Sequence, residues 1–331
     1  MSVKPWMGVV NNSKPDGYKP RKADREAPDA ALELQHVYGF RCHDVRNNCR
    51  YSSEGEIVYN VAGVAVVLDQ QENTQRFFMD HADDIHSIAM HPSGQICATG
   101  EIGRKPRLCI WGIDDVQSRV LVTQPLTKGI KHMAFSPCGK FLVASAMDDN
   151  QMMAIYEWQK PPAKKGQPLA PIAHGKSTRA KILSLQFSPD SKMVVATCVK
   201  EVSFLSFAGG AIKAQKGTGW GTKGAESVLA QAFLGNTLYT GGYSGDIMQW
   251  SGRQMSKRVK AHTQRINCMF AKDGKLVTGA HDGKVFVWQQ AAAGALQKLT
   301  TVDLTEASLK SVNPKATSVC LGGPSNQNIL I

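Results

Sequence analysis

No stretch of this chain approaches the ~18 consecutive apolar residues that a helix needs to cross a bilayer, and none of its eight cysteines stands in a C-x-x-C pair. The first absence excludes a membrane-spanning helix. The second leaves scattered thiols at 42, 49, 97, 109, 138, 198, 268 and 320, mostly flanked by apolar residues, which read as reduced core cysteines of a cytosolic protein. The first residues, MSVKPWMGVVNN, lack an apolar segment followed by a small-residue cleavage site, so secretion has no support and the chain reads as intracellular. Acidic residues are also short: 27 Asp and Glu face 39 Lys and Arg, a formal charge of +12, which favours an acidic partner without choosing among nucleic acid, anionic lipid and an acidic polymer.

Catalytic signatures are missing as well. There is no Gly-x-Ser-x-Gly elbow. Gly175-Lys176-Ser177 ends like a phosphate-binding loop, but Ala170 stands where that loop needs glycine. The glycine-rich run 217–224 reads as a flexible link between units. Around residues 35–51, Cys42 and His43 are adjacent, Cys49 lies seven residues on and His36 six before, which is not the spacing of a zinc site. No enzyme, metal or cofactor is expected.

An internal repeat is present instead. Its clearest copy, 262–289, reads HTQRINCMFAKDGKLVTGAHDGKVFVWQ: a histidine, then three short strands separated by tight turns, the last ending in Trp288. TGGYSGDIMQW at 240–250 aligns with TGAHDGKVFVW at 278–288, and worn copies occupy 183–207, 131–158 and 86–111. The strand-end aromatics Trp111, Trp158, Phe207, Trp250 and Trp288 are 38 to 49 residues apart, a period that suits a four-stranded propeller blade. These residues resemble WD-repeat β-propellers, and the resemblance implies that His262, Thr278, Asp282 and Trp288 form a buried, structural polar network. Buried polar groups persist only when they satisfy one another.

Blades are expected at about 48–78, 79–126, 127–172, 173–216, 217–260 and 261–308, with a seventh begun at 316–321 and completed by chain beyond Ile331. The expected fold is therefore all-β: a propeller of about seven four-stranded blades, the last incomplete, behind an extended, basic, proline-rich N-terminal arm (1–34). Residues 35–78 hold a hydrophobic motif and the first blade, and 79–331 the remaining blades.

That motif carries a closer resemblance. Val37-Tyr38-Gly39-Phe40-Arg41, Asp44-Val45-Arg46-Asn47-Asn48, Gly55-Glu56-Ile57-Val58-Tyr59, the apolar run 64–68, Thr74-Gln75-Arg76 and His81-Ala82-Asp83-Asp84-Ile85 together resemble the motif that opens the first propeller in the echinoderm microtubule-associated protein-like family. Cys42 and Asp80 stand where that family usually has glycine, and residues 1–34 lack the heptads of its coiled-coil members. Val37, Tyr38, Gly39, Phe40 and Tyr59 read as a packing device; in the family the comparable surface joins a second propeller, which this sequence does not contain, so an apolar patch is expected to be left exposed or covered by a partner.

The resemblance implies a non-enzymatic, microtubule-associated structural protein that binds tubulin, with other axonemal or cytoskeletal proteins as further partners, in the cytoplasm and cytoskeleton and in the axoneme of a cilium or flagellum. The alternative is a soluble WD-repeat scaffold that recruits a multi-subunit complex. No membrane is expected as partner, and nucleic acid ranks last for want of interleaved aromatic and basic residues.

Candidate contact residues follow charge. Lys160, Lys164, Lys165, Lys176, Arg179 and Lys181 form one tract, and Arg253, Lys257, Arg258, Lys260 and Arg265 another, neither interrupted by an acid. Both should lie on outer edges and share one face. In the arm, Lys4, Lys14, Lys19, Arg21 and Lys22 supply charge, and Trp6 and Tyr18 supply anchors.

Overall fold

Six antiparallel meanders and a two-stranded sheet succeed one another along the chain among the described residues, because most strands are followed by a short turn that returns the chain beside the preceding strand. The computed structural model describes residues 5–19, 21, 26, 30–122, 125–160, 169–291, 295–307, 314–323 and 328–331. Blade 1 runs outward from Arg50–Tyr51 through Ile57–Val61 and Val64–Asp69 to Thr74–Phe78. Blade 2 holds Ile85–Met90, Ile96–Glu101, Leu108–Gly112 and Ser118–Val122, and blade 3 Ile130–Phe135, Phe141–Ala146, Met152–Glu157 and Ala173–Lys176. Blade 4 holds Ile182–Phe187, Met193–Cys198, Glu201–Ser206 and Lys213–Lys216, and blade 5 Val228–Leu234, Thr237–Gly242, Asp246–Ser251 and Gln254–Lys260. Blade 6 runs from Ile266–Lys272 through Lys275–Ala280 and Lys284–Gln290 to Leu296–Asp303, and a two-stranded sheet, Cys320–Gly322 with Asn328–Leu330, stands in the seventh place.

The first strands of successive blades abut around a common axis, and the two-stranded sheet lies between the first strands of blades 6 and 1. Asn47 donates its amide to the Thr317 carbonyl at 3.0 Å, and Ser318 donates its hydroxyl to the Cys49 carbonyl at 3.3 Å, so the ring closes on itself. The second and third strands are buried on both faces because each sheet is sandwiched between neighbours, which is why they read as near-continuous apolar runs. Large side chains of adjoining sheets fill the gaps: Phe78 stacks on Trp111 with centroids 4.8 Å apart, and Phe204 meets Trp250 edge-on at 5.9 Å.

Several expectations need correction. Six sheets have four strands and one has two among the described residues, rather than about seven of four. Ala173–Lys176 belongs to blade 3 as its outer strand, pairing with Met152–Glu157, so the boundary expected at 172/173 falls before that strand and not after it. Residues Pro5–Asn12 are α-helical, not extended. Proline is compatible with the first turn of a helix, where its missing N–H has no partner to lose, so Pro5 starts this helix instead of blocking it.

Within 217–224, Gly217 and Gly219 are packed close, whereas a Cβ on Gly221 or Gly224 would meet open space. Gly217 donates to the Val202 carbonyl at 2.7 Å, and a Cβ there would lie 2.7 Å from the Trp250 ring. Six cysteines are buried, but Cys42 and Cys138 are exposed.

Candidate functional site

Residues 36–48 precede the first strand and cross blade 1 from its rim to the propeller axis. At the rim, the side-chain amide of Gln75, on the outermost strand, accepts from the Val37 amide at 2.7 Å and donates to the Val37 carbonyl and to the Tyr59 hydroxyl. Phe40 then packs edge-on against Tyr59 at 6.1 Å. Arg41 forms a two-pronged bond to Asp44 at 2.9 and 2.7 Å and reaches Asp84 at 3.1 Å, and its hydrogen bonds hold the Asp44 carboxyl below its ordinary value against partial burial. Buried Asn48 donates to the Arg41 carbonyl at 2.6 Å, and Asn60 beneath it donates to the Ile85 carbonyl, tying the segment to blade 2. At the axis, Arg46 donates to the Leu183 carbonyl of blade 4 at 3.2 Å.

Tyr59 is buried beneath the segment, and Val37 is half-buried. Gly39 takes φ +109°, a conformation that favours glycine. Tyr38, by contrast, is 85% exposed, and Phe40 is 39% exposed despite its contact with Tyr59, so part of the apolar motif faces solvent.

The structure brings His262, Thr278, Asp282 and Trp288 together in blade 6. Trp288 donates its indole N–H to the Thr278 hydroxyl at 2.9 Å, Thr278 Oγ1 lies 2.8 Å from His262 Nε2, and His262 Nδ1 lies 3.2 Å from both Asp282 oxygens. Burial keeps His262 below its ordinary value although Asp282 pulls the other way. A neutral ring with its proton on Nδ1 satisfies the chain: tryptophan gives to threonine, threonine to histidine, histidine to aspartate. Asp282 also accepts the Thr263 and Lys284 amides at 3.0 and 3.1 Å, and these bonds together overcome the opposing effect of burial and hold it ionised.

Blade 2 repeats the arrangement with His81, Thr99, Trp111 and Glu101. Sequence reading missed this set because the acid is a glutamate two residues after the threonine, where blade 6 has an aspartate four after. The Thr-Gly pair at 99–100 ahead of the strand-end Trp111, like 278–279 ahead of Trp288, was the available signal. Blade 5 keeps only Trp250 on Thr240, at 2.9 Å.

The basic tracts are less bare than their sequence implies. Glu157, just outside the first tract, lies 3.9 Å from Lys160; Glu226 lies 3.4 Å from Arg258, and Asp246 3.7 Å from Lys260. Glu157 is three residues from Lys160 in sequence, Glu226 precedes the first strand of blade 5, and Asp246 lies on the strand beside Lys260, so runs without acids in sequence acquire them in space. Nor do the residues share one face. Arg253 sits at the hairpin into the outer strand of blade 5 and Lys260 at that strand's far end, opposite Asp246, roughly 20 Å away at the usual rise per residue.

Lys176, Arg179, Lys181, Arg253 and Lys257 are exposed, and Arg265 is half-buried with its guanidinium over the Tyr243 ring. Lys14, Tyr18, Lys19 and Arg21 are exposed beyond the N-terminal helix. Lys4, Lys22, Lys164 and Lys165, and the Trp6 side chain, lie outside the described residues. Among the described residues no three His, Cys, Asp or Glu side chains are grouped to hold a metal ion, and no helix is long and apolar enough to cross a membrane.

Comparison with known proteins places this geometry among relatives. Residues 74–331 match the family model described as the echinoderm microtubule-associated protein first beta-propeller, and residues 27–66 match the HELP motif. The chain is similar to the ciliary WD repeat-containing protein ctxp80 of Euplotoides octocarinatus, 28% identical over 97% of this chain and 46% of that protein. It is also similar to echinoderm microtubule-associated protein-like 4 of Xenopus laevis, 29% identical over 80% of this chain and 31% of the relative, and to the like-2 protein of Mus musculus, 28% identical over 80% and 42%. The chain thus spans less than half the length of these relatives. Among solved structures, a chain of the mitotic checkpoint complex superposes with a TM-score of 0.67 over 95% of both chains at 12% identity, a likeness of fold.

Proposed function

Because the chain belongs to the echinoderm microtubule-associated protein family, we propose that it is a non-enzymatic structural protein that binds the tubulin lattice of microtubules, in the axoneme of a cilium or flagellum. The observation that carries this reading is the match of the family's first-propeller model along the ring of blades. The ciliary relative, aligned over 97% of this chain, supports the axonemal part. Other cytoskeletal or axonemal proteins are proposed as neighbours on the same lattice.

Contact is assigned to the exposed cations that have no acid beside them among the described residues: Lys176, Arg179, Arg253 and Lys257 on the propeller, with Lys14 and Lys19 of the N-terminal segment. Arg258 and Lys260 contribute less, since Glu226 and Asp246 already neutralise them. Co-sedimentation with microtubules across a salt series tests the reading. Binding at low salt that weakens as salt rises, and that falls when Arg253 and Lys257 are both changed to glutamine, is expected. Absence of binding even at low salt would defeat it.

A further inference from the structure

The first strands of the blades surround an axial cavity of about 410 Å³, within the size range of small-molecule sites. Its charge is unbalanced. Arg46, Arg50, Lys131 and Lys181 line it against one carboxylate, Asp44, which Arg41 already holds through two hydrogen bonds.

Three of these cations gather at one end. Lys131 is the second residue of the first strand of blade 3, and Lys181 immediately precedes the first strand of blade 4. The rim-to-axis segment delivers Arg46 to the same end, through its bond to the Leu183 carbonyl. The ammonium groups of Lys131 and Lys181 have no acid partner among the described residues. Arg46 leaves Nη1 buried without a hydrogen-bond partner, and so does His86 at Nδ1 in the adjoining position of blade 2.

Burial lowers the Lys131 ammonium, and the like charges of Lys181 and Arg46 lower it further; burial lowers Arg46 in the same sense. Gathering unpaired cations costs stability, and burying a donor without a partner costs more when it is charged. A fold gains nothing from this arrangement unless an anion completes it. Forked guanidinium donors beside point-charge ammoniums are the chemistry that holds clustered phosphate oxygens.

We propose that the axial cavity is a binding site for a small phosphate-bearing polyanion, held by Arg46, Lys131 and Lys181. The site is independent of the exposed cations assigned to microtubules, because it faces the axis and they face outward.

Calorimetric titration of the full chain with inorganic tripolyphosphate, at fixed ionic strength, tests this. Saturable one-to-one binding is expected, weakened at least tenfold by Lys131→Gln with Lys181→Gln and unchanged by Arg253→Gln with Lys257→Gln. Absence of binding by the unaltered chain would overturn the proposal, and so would equal loss in both variants. Amine acetylation read by peptide mass spectrometry gives a second measurement needing no variant: tripolyphosphate should shield Lys131 and Lys181 but not Lys257. Failure to shield them, or preferential binding of a hexaglutamate peptide in its place, would also refute the assignment.

Discussion

Thr278 works in both directions at once, accepting from Trp288 and donating to His262, and neither Trp288 Nε1 nor His262 Nε2 has another partner among the described residues. Thr278→Val keeps the shape and removes the hydroxyl, leaving an indole N–H and an imidazole nitrogen buried and unpaired. The expected cost is about 2–4 kcal/mol, measured by chemical denaturation, with the variant still folded as a propeller by circular dichroism. The buried histidines set a pH dependence of definite sign. Burial holds His262 below its ordinary value of 6.5, pushes His86 down to about 4 and holds His132 well below the ordinary value.

Below about pH 6.5 the unfolded chain therefore binds more protons than the folded one, so stability falls as pH drops. Asp282, held below the ordinary carboxylate range, adds its own loss at more acid pH. Melting temperature measured from pH 8 to pH 5 should be level at first and then decline; a rise would contradict these assignments. Sequence made the blade 6 set readable because histidine, Thr-Gly, aspartate and tryptophan all survive there. Where Glu101 replaces the aspartate, or His and acid are lost as in blade 5, side-chain positions in space were needed to see which partner remained.

In the second strand of a blade, the recurring Thr-Gly pair serves two neighbours. Threonine 99, 240 or 278 bonds the tryptophan of its own sheet, and the glycine after it admits the next blade. A Cβ on Gly100 would lie 2.5 Å from Ile130, on Gly241 2.6 Å from Ile266, and on Gly279 2.7 Å from Ala316. Gly241→Ala should therefore cost about 1–3 kcal/mol through overpacking, read as an earlier denaturation midpoint with unchanged slope. A cost near zero would mean that the blades are not packed this tightly.

This pairing explains why blades 2, 5 and 6 were legible: their aromatic strand ends and Thr-Gly steps recur together because each serves the same contact. The outer strand of blade 3 was misplaced because it follows a long connection from Trp158 and carries little apolar signal in Ala-His-Gly-Lys. Acid partners of the basic tracts escaped notice for a related reason. A register such as Asp246 opposite Lys260 joins residues fourteen apart that no local window pairs.

At the scale of the molecule, charge and closure matter most. On the proposed reading, a disc whose cations lie at both ends of its outer strands would meet a polymer through weak, solvent-exposed contacts, and such contacts extend over a Debye length of about 30 Å at 0.01 M salt but about 8 Å at 0.15 M. The co-sedimentation curve should therefore fall steadily between those concentrations. The rim-to-axis segment was legible as an apolar motif, but its path was not. Only the pairing of Gln75 with Val37 at one end and of Arg46 with Leu183 at the other reveals that it spans the whole first blade.

The seam where Ser318 meets the Cys49 carbonyl joins residues 269 positions apart. During synthesis at roughly 5–20 residues per second, the beginning of blade 1 waits about 15–55 s for that partner. Through this interval the nascent protein is an open arc with a naked strand at its leading margin. The cell's folding helpers therefore have their longest opportunity at the margin bearing Cys49, before Ser318 emerges and fastens it.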